Sequence, residues 1–163
     1  MTTVTIQDVI DDNVKEGGET HYVYVVRADE TVLYVGKSKR SAIERLGEHL
    51  GIGGVMACGV PSSQLGELIT SNAPESHQWQ VQLLTLEDCR PYVVKHLSSV
   101  VRWDEDKAEI AVIQSLCPCL NRMYNPRPQR IPDHWRKSID ERMRDRLENP
   151  AESFIRYDAE GKT

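Results

Sequence analysis

Tyr22-Val23-Tyr24 and, after nine intervening residues, Tyr34-Val35-Gly36 lie in two β-branched, aromatic runs over residues 21–27 and 31–36. The polar turn Arg27-Ala28-Asp29-Glu30-Thr31 joins them. Such runs, bounded by turn residues, read as a β-hairpin. Tyr24 and Tyr34 are ten positions apart, an even spacing that in a strand places residues on one face. Paired in a hairpin, the two phenols would border one pocket. Two core-filling tyrosines would give the same pattern, and the hairpin alone does not separate the readings.

Outward from the hairpin, Ser38–Leu50 reads as a helix, because Ala42, Ile43, Leu46 and Leu50 recur at helical spacing and Gly51 supplies a stop. The stretch 51–63, rich in glycine, is a loop. Gln64–Thr70 is a short helix entered at Ser62 or Ser63. His77–Thr85 alternates and then runs apolar, as a half-buried strand does. Residues 86–103 give no clear pattern. Asp104-Glu105-Asp106 puts negative charge where a helix N-terminus favours it, so a helix is predicted from there to about Leu116. On the N-terminal side, the polar, acidic opening reads as an arm or a short helix. Beyond Asn121, Pro126, Pro128 and Pro132 mark an extended linker before a helix from about Asp133 to Leu147. Its stripe of Trp135, Ile139, Met143 and Leu147 should dock on the domain, since a helix of this size is marginal alone.

The 163 residues suffice for one compact domain with modest extensions. No apolar run reaches the roughly 18 residues of a membrane span, and the opening residues lack a basic segment followed by an apolar one. Cys58, Cys89, Cys117 and Cys119 have no paired C-x-x-C spacing. A zinc site or disulfide framework is therefore not expected, and a cytoplasmic location is.

The net charge of −5 argues mildly against a nucleic-acid protein, but the charge is segregated. Residues 122–146 hold Arg122, Arg127, Arg130, Arg136, Lys137, Arg142, Arg144 and Arg146 against Asp133, Asp140, Glu141 and Asp145. A second basic group, Lys37, Lys39, Arg40 and Arg45, follows the second tyrosine run. Residues 8–19 are mostly acidic.

Arg45 and His49 are four apart on the first long helix and share a face. They bring a guanidinium and an imidazole near the hairpin, groups suited to phosphate charge and proton movement. Glu109, Val112, Ile113 and Leu116 fall at i, i+3, i+4 and i+7 of the later helix, which sets a carboxylate on a largely apolar face. Burying an unpaired charge is costly, so Glu109 either meets a cation or metal or lies at the stripe's edge and reaches solvent. Asn121, after Cys117-Pro118-Cys119-Leu120, is by itself an ordinary turn residue.

As a set, these residues resemble the GIY-YIG nuclease superfamily over about Tyr22–Asn121. Tyr22-Val23-Tyr24 stands for the family's GIY element, and Tyr34-Val35-Gly36-Lys37 for YIG with its frequent trailing Lys. Arg45 looks like the family Arg on the following helix, and His49 falls where members carry His or Tyr. Glu109 looks like the metal-binding Glu, and Pro118-Cys119-Leu120-Asn121 like the closing Pro-x-x-Asn element. Two departures stand out: the first-motif Gly is Tyr22, and Val replaces Ile in both motifs. Every polar position is retained, so the resemblance implies an active enzyme.

It implies an α/β (α+β) fold with a small central three-stranded antiparallel sheet flanked by helices. An acidic arm over residues 1–20 would precede the domain at 21–121, with a linker and an extra basic C-terminal helix over 122–163. By the same resemblance, the activity is hydrolysis of DNA phosphodiester bonds at a single-metal site. Glu109 would hold Mg²⁺, with Mn²⁺ able to substitute. Tyr24 or Tyr34 would activate water, helped by His49 or Lys37, and Arg45 would neutralise the transition state, with Asn121 completing the site. Lys39, Arg40, Arg122, Arg136, Lys137 and Arg144 are candidates for contact with the DNA backbone. No organic cofactor and no membrane are implied. The alternative is a catalytically silent nucleic-acid-binding module of the same fold.

Overall fold

A computed structural model describes residues 1–15, 17–52, 63–93 and 102–136. Along the chain the elements are β1 (Thr2–Thr5), α1 (Ile6–Ile10), β2 (Val23–Ala28), β3 (Thr31–Lys37), α2 (Ala42–Leu50), α3 (Gln64–Ser71), β4 (Gln80–Leu84), α4 (Leu86–Cys89) and α5 (Glu105–Leu116). The strands form one antiparallel sheet in the order β1-β4-β2-β3. The three-strand expectation is thus corrected to four. The added strand is Thr2-Thr3-Val4-Thr5, which pairs Thr2 with Leu83 through to Thr5 with Gln80. Its threonines are β-branched and suit a pleated edge, but four residues with a single strongly apolar side chain show no alternation.

The hairpin turns tightly at Asp29-Glu30, with Asp29 in the left-handed region at φ 50°, a conformation Asp tolerates better than most residues. Three residues into β3 the register slips. Arg27 faces Val32, but Val26 faces Tyr34, leaving Leu33 as an extra residue in a bulge. Without the bulge Tyr34 would lie opposite Val25, on the other face of the sheet, since one register step exchanges the faces. The bulge therefore brings Tyr34 round to the side of Tyr24.

Each face buries its own core. On one side Tyr24, Val26, Ala28, Leu33, Val81 and Leu83 pack with Leu46 and Leu50 of α2 and Leu65, Leu68 and Ile69 of α3. On the other, Val23, Val25, Val32, Val35 and Leu84 pack with Ala108, Val112 and Ile113 of α5. Ser41 and Gly51 bound α2. The Ser41 side chain accepts from Glu44 N–H, and Gly51 closes the helix at φ 72°, a conformation open to glycine at little cost. The helix begins later than predicted because the Ser38 hydroxyl accepts from Arg40 N–H and Ser41 N–H and shapes a turn there. Ser63 caps α3 and Asp104 caps α5, each accepting a backbone N–H three residues on.

Residues 133–136 form a helical turn, and Trp135 is buried against Trp79 in an edge-to-face contact with ring centroids 4.9 Å apart. Such a pair adds about 1 kcal/mol beyond its buried area. The rest of the predicted C-terminal helix, including Lys137, Ile139, Met143, Arg144 and Leu147, lies outside the described residues. Among the described residues no helix is long and apolar enough to cross a membrane.

Candidate active site

β3 is the sheet's outer strand, and the two helical layers meet around it. Its free edge is covered from 86 residues away. Cys119 N–H donates to Val32 C=O and Leu120 N–H to Leu33 C=O. The Asn121 side chain then acts as one more strand residue, its Oδ1 accepting from Val35 N–H at 2.9 Å and its Nδ2 donating to Val35 C=O at 2.8 Å. Asn121, proposed from sequence as a site residue, is thus a clamp on the strand that carries Tyr34.

Tyr24 faces Gly36 across the β2–β3 ladder. A Cβ on Gly36 would stand 2.4 Å from both Cζ and the hydroxyl of Tyr24 and 2.8 Å from a ring carbon of Tyr34. Glycine is required here because the Tyr24 ring occupies the space of a side chain. The Tyr24 ring is fully buried while Tyr34 is half-buried, and their centroids are 6.1 Å apart. From α2, His49 reaches both, with its ring 5.5 Å from that of Tyr34 and its Nε2 2.8 Å from the Tyr24 hydroxyl. The other nitrogen, Nδ1, lies 2.6 Å from Ser63 Oγ, the hydroxyl that caps α3.

These side chains are shielded from water, and their protonation follows. Burial pushes the Tyr24 phenol above the ordinary tyrosine range; Tyr34 and Glu109 add to the effect and Arg45 opposes it. Burial likewise raises Tyr34, with Glu109 adding, while Arg45 and a hydrogen bond with Tyr24 oppose. Burial, helped by the charge of Arg45, holds the His49 imidazole down at about 4. At neutral pH the cluster is a neutral imidazole bonded to the Tyr24 phenol, which in turn bonds the phenol of Tyr34. A neutral ring carries one N–H and one lone pair. In the tautomer whose Nδ1–H donates to Ser63, Nε2 accepts the Tyr24 proton.

Glu109 approaches from α5. It is 17% exposed and its Oε2 lies 3.2 Å from Lys37 Nζ, at the end of β3. Asp106, one turn earlier on α5, bonds the same ammonium. The apolar-face reading of Glu109 resolves to a largely buried carboxylate with a cation beside it. Burial raises its carboxyl above the usual range despite Lys37, and Asp106 adds to the shift. The hydrogen bond to Asp106, together with Glu109, raises Lys37. The two rise for different reasons, the glutamate through its burial and the lysine through its bond to Asp106.

Among the described residues no group of three or more His, Cys, Asp and Glu could hold a metal ion. A single Mg²⁺ asks for less, commonly one or two carboxylates with waters filling the remaining positions. Two carboxylates one turn apart converge on one ammonium here, which leaves the group net negative. Glu109 with Asp106 therefore fits such a cation.

Tyr24, Tyr34 and His49 thus meet beside β3, Lys37 and Glu109 pair at the end of the same strand, and Glu109 and Arg45 act on the phenols through their charge. The Arg45 guanidinium is half exposed and bonded to Glu48. Lys39, Arg40, Arg122 and Arg136 are exposed. Lys137 and Arg144 lie outside the described residues. Sequence reading missed Ser63, Asp106 and the steric role of Gly36. Asp106 was accessible from its i−3 position relative to Glu109; Ser63 was read only as a helix cap.

No family model matches the chain, and no curated protein and no solved structure matches it either.

Proposed function

We propose that this chain is a metal-dependent endonuclease of GIY-YIG type that hydrolyses phosphodiester bonds in DNA. The observation that carries the reading is the cluster of Tyr24, Tyr34 and His49 beside β3 with the Lys37–Glu109 pair at the end of the same strand, residues drawn from four elements and joined by the charge of Glu109 acting on both phenols. A structural tyrosine pair has no need of a histidine, an ammonium and a buried carboxylate around it.

Tyr34 is the more exposed phenol and the one that can meet an attacking water; Tyr24 lies behind it, on His49. As the water oxygen bonds to phosphorus, its proton passes to Tyr34. Tyr34 hands its own proton to Tyr24, and Tyr24 hands one to His49 Nε2. The bond to the leaving ester oxygen breaks, and that oxygen takes a proton from solvent. In this relay neither phenol has to exist as a free phenolate, which burial disfavours. Arg45 adds positive charge beside the relay, where it steadies the negative charge that builds on phosphate. A divalent cation held by Glu109 and Asp106 would polarise the phosphate and stabilise the leaving oxygen.

The test is nicking of supercoiled plasmid in Mg²⁺, in Mn²⁺ and in EDTA. Cleavage is expected with either cation and not with EDTA. Glu109→Ala, Tyr24→Phe and Arg45→Ala should each abolish it without unfolding the protein. Cleavage by Glu109→Ala at the wild-type rate would remove the metal assignment. DNA binding without cleavage under any of these conditions would favour the silent binding module.

A further inference from the structure

Past Asn121 the chain turns beside the end of α5 and is pinned there. Asn125 Nδ2 donates to Pro118 C=O at 2.7 Å and to Asn121 C=O at 3.0 Å, and Gln129 Nε2 donates to Leu116 C=O at 3.0 Å. On this firm support Tyr124 adopts φ 60°, a conformation that is unusual and costly for a bulky side chain. Tyr124 is 53% exposed and the neighbouring Met123 71% exposed, so two of the four large exposed hydrophobic residues among those described sit side by side here. Gln114, Arg122, Tyr124, Asn125 and Pro126 line an open hollow of about 540 Å³.

The lining has a definite chemistry. One aromatic ring offers a stacking surface, the exposed Gln114 amide offers a paired donor and acceptor, and one guanidinium offers charge for a phosphate. The Asn125 amide is taken up by Pro118, Asn121 and Arg127 N–H and shapes the hollow. An apolar partner would leave the Gln114 amide and the guanidinium unsatisfied. Gln114 stands five residues beyond Glu109 on α5, about 7.5 Å along the helix axis. Asn121, which holds β3, also receives the Asn125 bond. Hollow and strand edge are therefore tied to one frame.

We propose that this hollow receives an unpaired nucleobase of the DNA strand bound at the neighbouring edge, stacked on Tyr124, with Arg122 on the adjoining phosphate. The inference rests on the endonuclease reading above. It narrows the substrate to DNA carrying an unpaired or extruded nucleotide.

The test is binding of the full chain, in EDTA, to two labelled duplexes that differ only by one extra unpaired nucleotide. Wild type should prefer the bulged duplex about tenfold, the scale of one base–aromatic stack. Tyr124→Asn removes the ring while suiting the positive φ, and should erase the preference; Tyr124→Phe should keep it. With 2-aminopurine at the unpaired position, wild type should quench its emission on binding. A preference that survives Tyr124→Asn, equal binding of both duplexes, no binding of either, or unquenched emission each overturns the proposal. Plasmid nicking is scored separately. Nicking without a bulge preference removes the hollow alone, and a Tyr124-dependent preference without nicking removes the enzyme alone.

Discussion

The two outer strands of the sheet solve the same problem in different ways. A strand edge exposes unpaired N–H and C=O groups and invites unwanted pairing. At one side β1 has only four residues and ends in a capping box, where the Thr5 hydroxyl accepts from Asp8 N–H and the Asp8 carboxylate accepts from Thr5 N–H. At the other side β3 has seven residues, and residues 119–121 close its edge. The first solution is local and needs no other part of the chain. The second brings the segment after α5 against the hairpin, and so sets Glu109 beside Lys37 and near both phenols. Protecting that edge and assembling the candidate site are one structural event. Damage at β3 should therefore reach stability and activity together, and damage at β1 stability alone.

The hardest test of that contrast is Gly36→Ala. The new methyl cannot coexist with Tyr24, whose ring lies 2.4 Å from where it would be. Overpacking of this kind costs about 1–3 kcal/mol, and moving a positioned group by roughly 1 Å costs about a hundredfold in rate. Chemical denaturation and the nicking assay should both register the change; a variant with wild-type nicking would separate the edge from the site.

Acid should distinguish the two sides next. His49 is held at about 4 in the folded protein, against about 6.5 for an unfolded histidine. Between these values the unfolded chain binds the proton and the folded one does not, so stability falls as pH drops from about 6.5 to about 4 and levels off below. The full loss is about 3 kcal/mol. Nicking should fail over the lower part of the same range, as His49 ceases to be a proton acceptor. On the β1 side, the bond from Thr5 N–H, followed by that from its hydroxyl, keeps Asp8 below the usual carboxylate value, so its contribution is lost only in stronger acid. Urea midpoints of wild type and His49→Gln should diverge over this range. Parallel curves would mean that His49 is not the group responsible.

Asn121→Ala comes third. It leaves Val35 N–H and C=O without their side-chain partners, and leaving a buried backbone group unpaired costs about 1–3 kcal/mol. Nicking should fall as well, though by less than with Gly36→Ala, because Cys119 and Leu120 still hold the edge. Melting curves with paired activity measurements check this. A stability loss with full activity would make Asn121 a structural clamp only.

How far the sequence reveals this contrast depends on the range of each interaction. The hairpin, the Gly51 stop and the helix start at the acidic run 104–106 were legible, because alternation, helical spacing and charge at a helix end are local. Glu109 was legible only as a choice between a buried charge beside a cation and a carboxylate at the edge of the stripe, because spacing along one helix does not show what packs against it. β1 was not, as its pairing with β4 spans some eighty residues and leaves no periodic trace in four. The placing of the phenols came out right through a mechanism the sequence did not display. Even spacing has no meaning across a turn, and it is the Leu33 bulge that brings Tyr34 to the face of Tyr24. Asn121 looked like a turn residue because a side chain imitating a strand is visible only once the strand beside it is known.

The smallest predicted effect is also the control for the others. Thr5→Ala removes the hydroxyl that accepts from Asp8 N–H at 3.1 Å and donates to Asp8 Oδ2 at 2.7 Å, while the bond from Thr5 N–H to the carboxylate remains. Loss of such a cap costs about 1 kcal/mol, or about 2–4 °C in melting temperature for a chain of this size. Thr5 is on the opposite edge of the sheet from β3, with β4 and β2 between them. A rigid sheet does not carry the loss of one cap across two strands, so nicking at temperatures well below melting should be unchanged. If Thr5→Ala instead lowered activity in proportion to stability, the two edges would be one cooperative unit, and the losses at Gly36 and Asn121 would no longer point to a site built on β3.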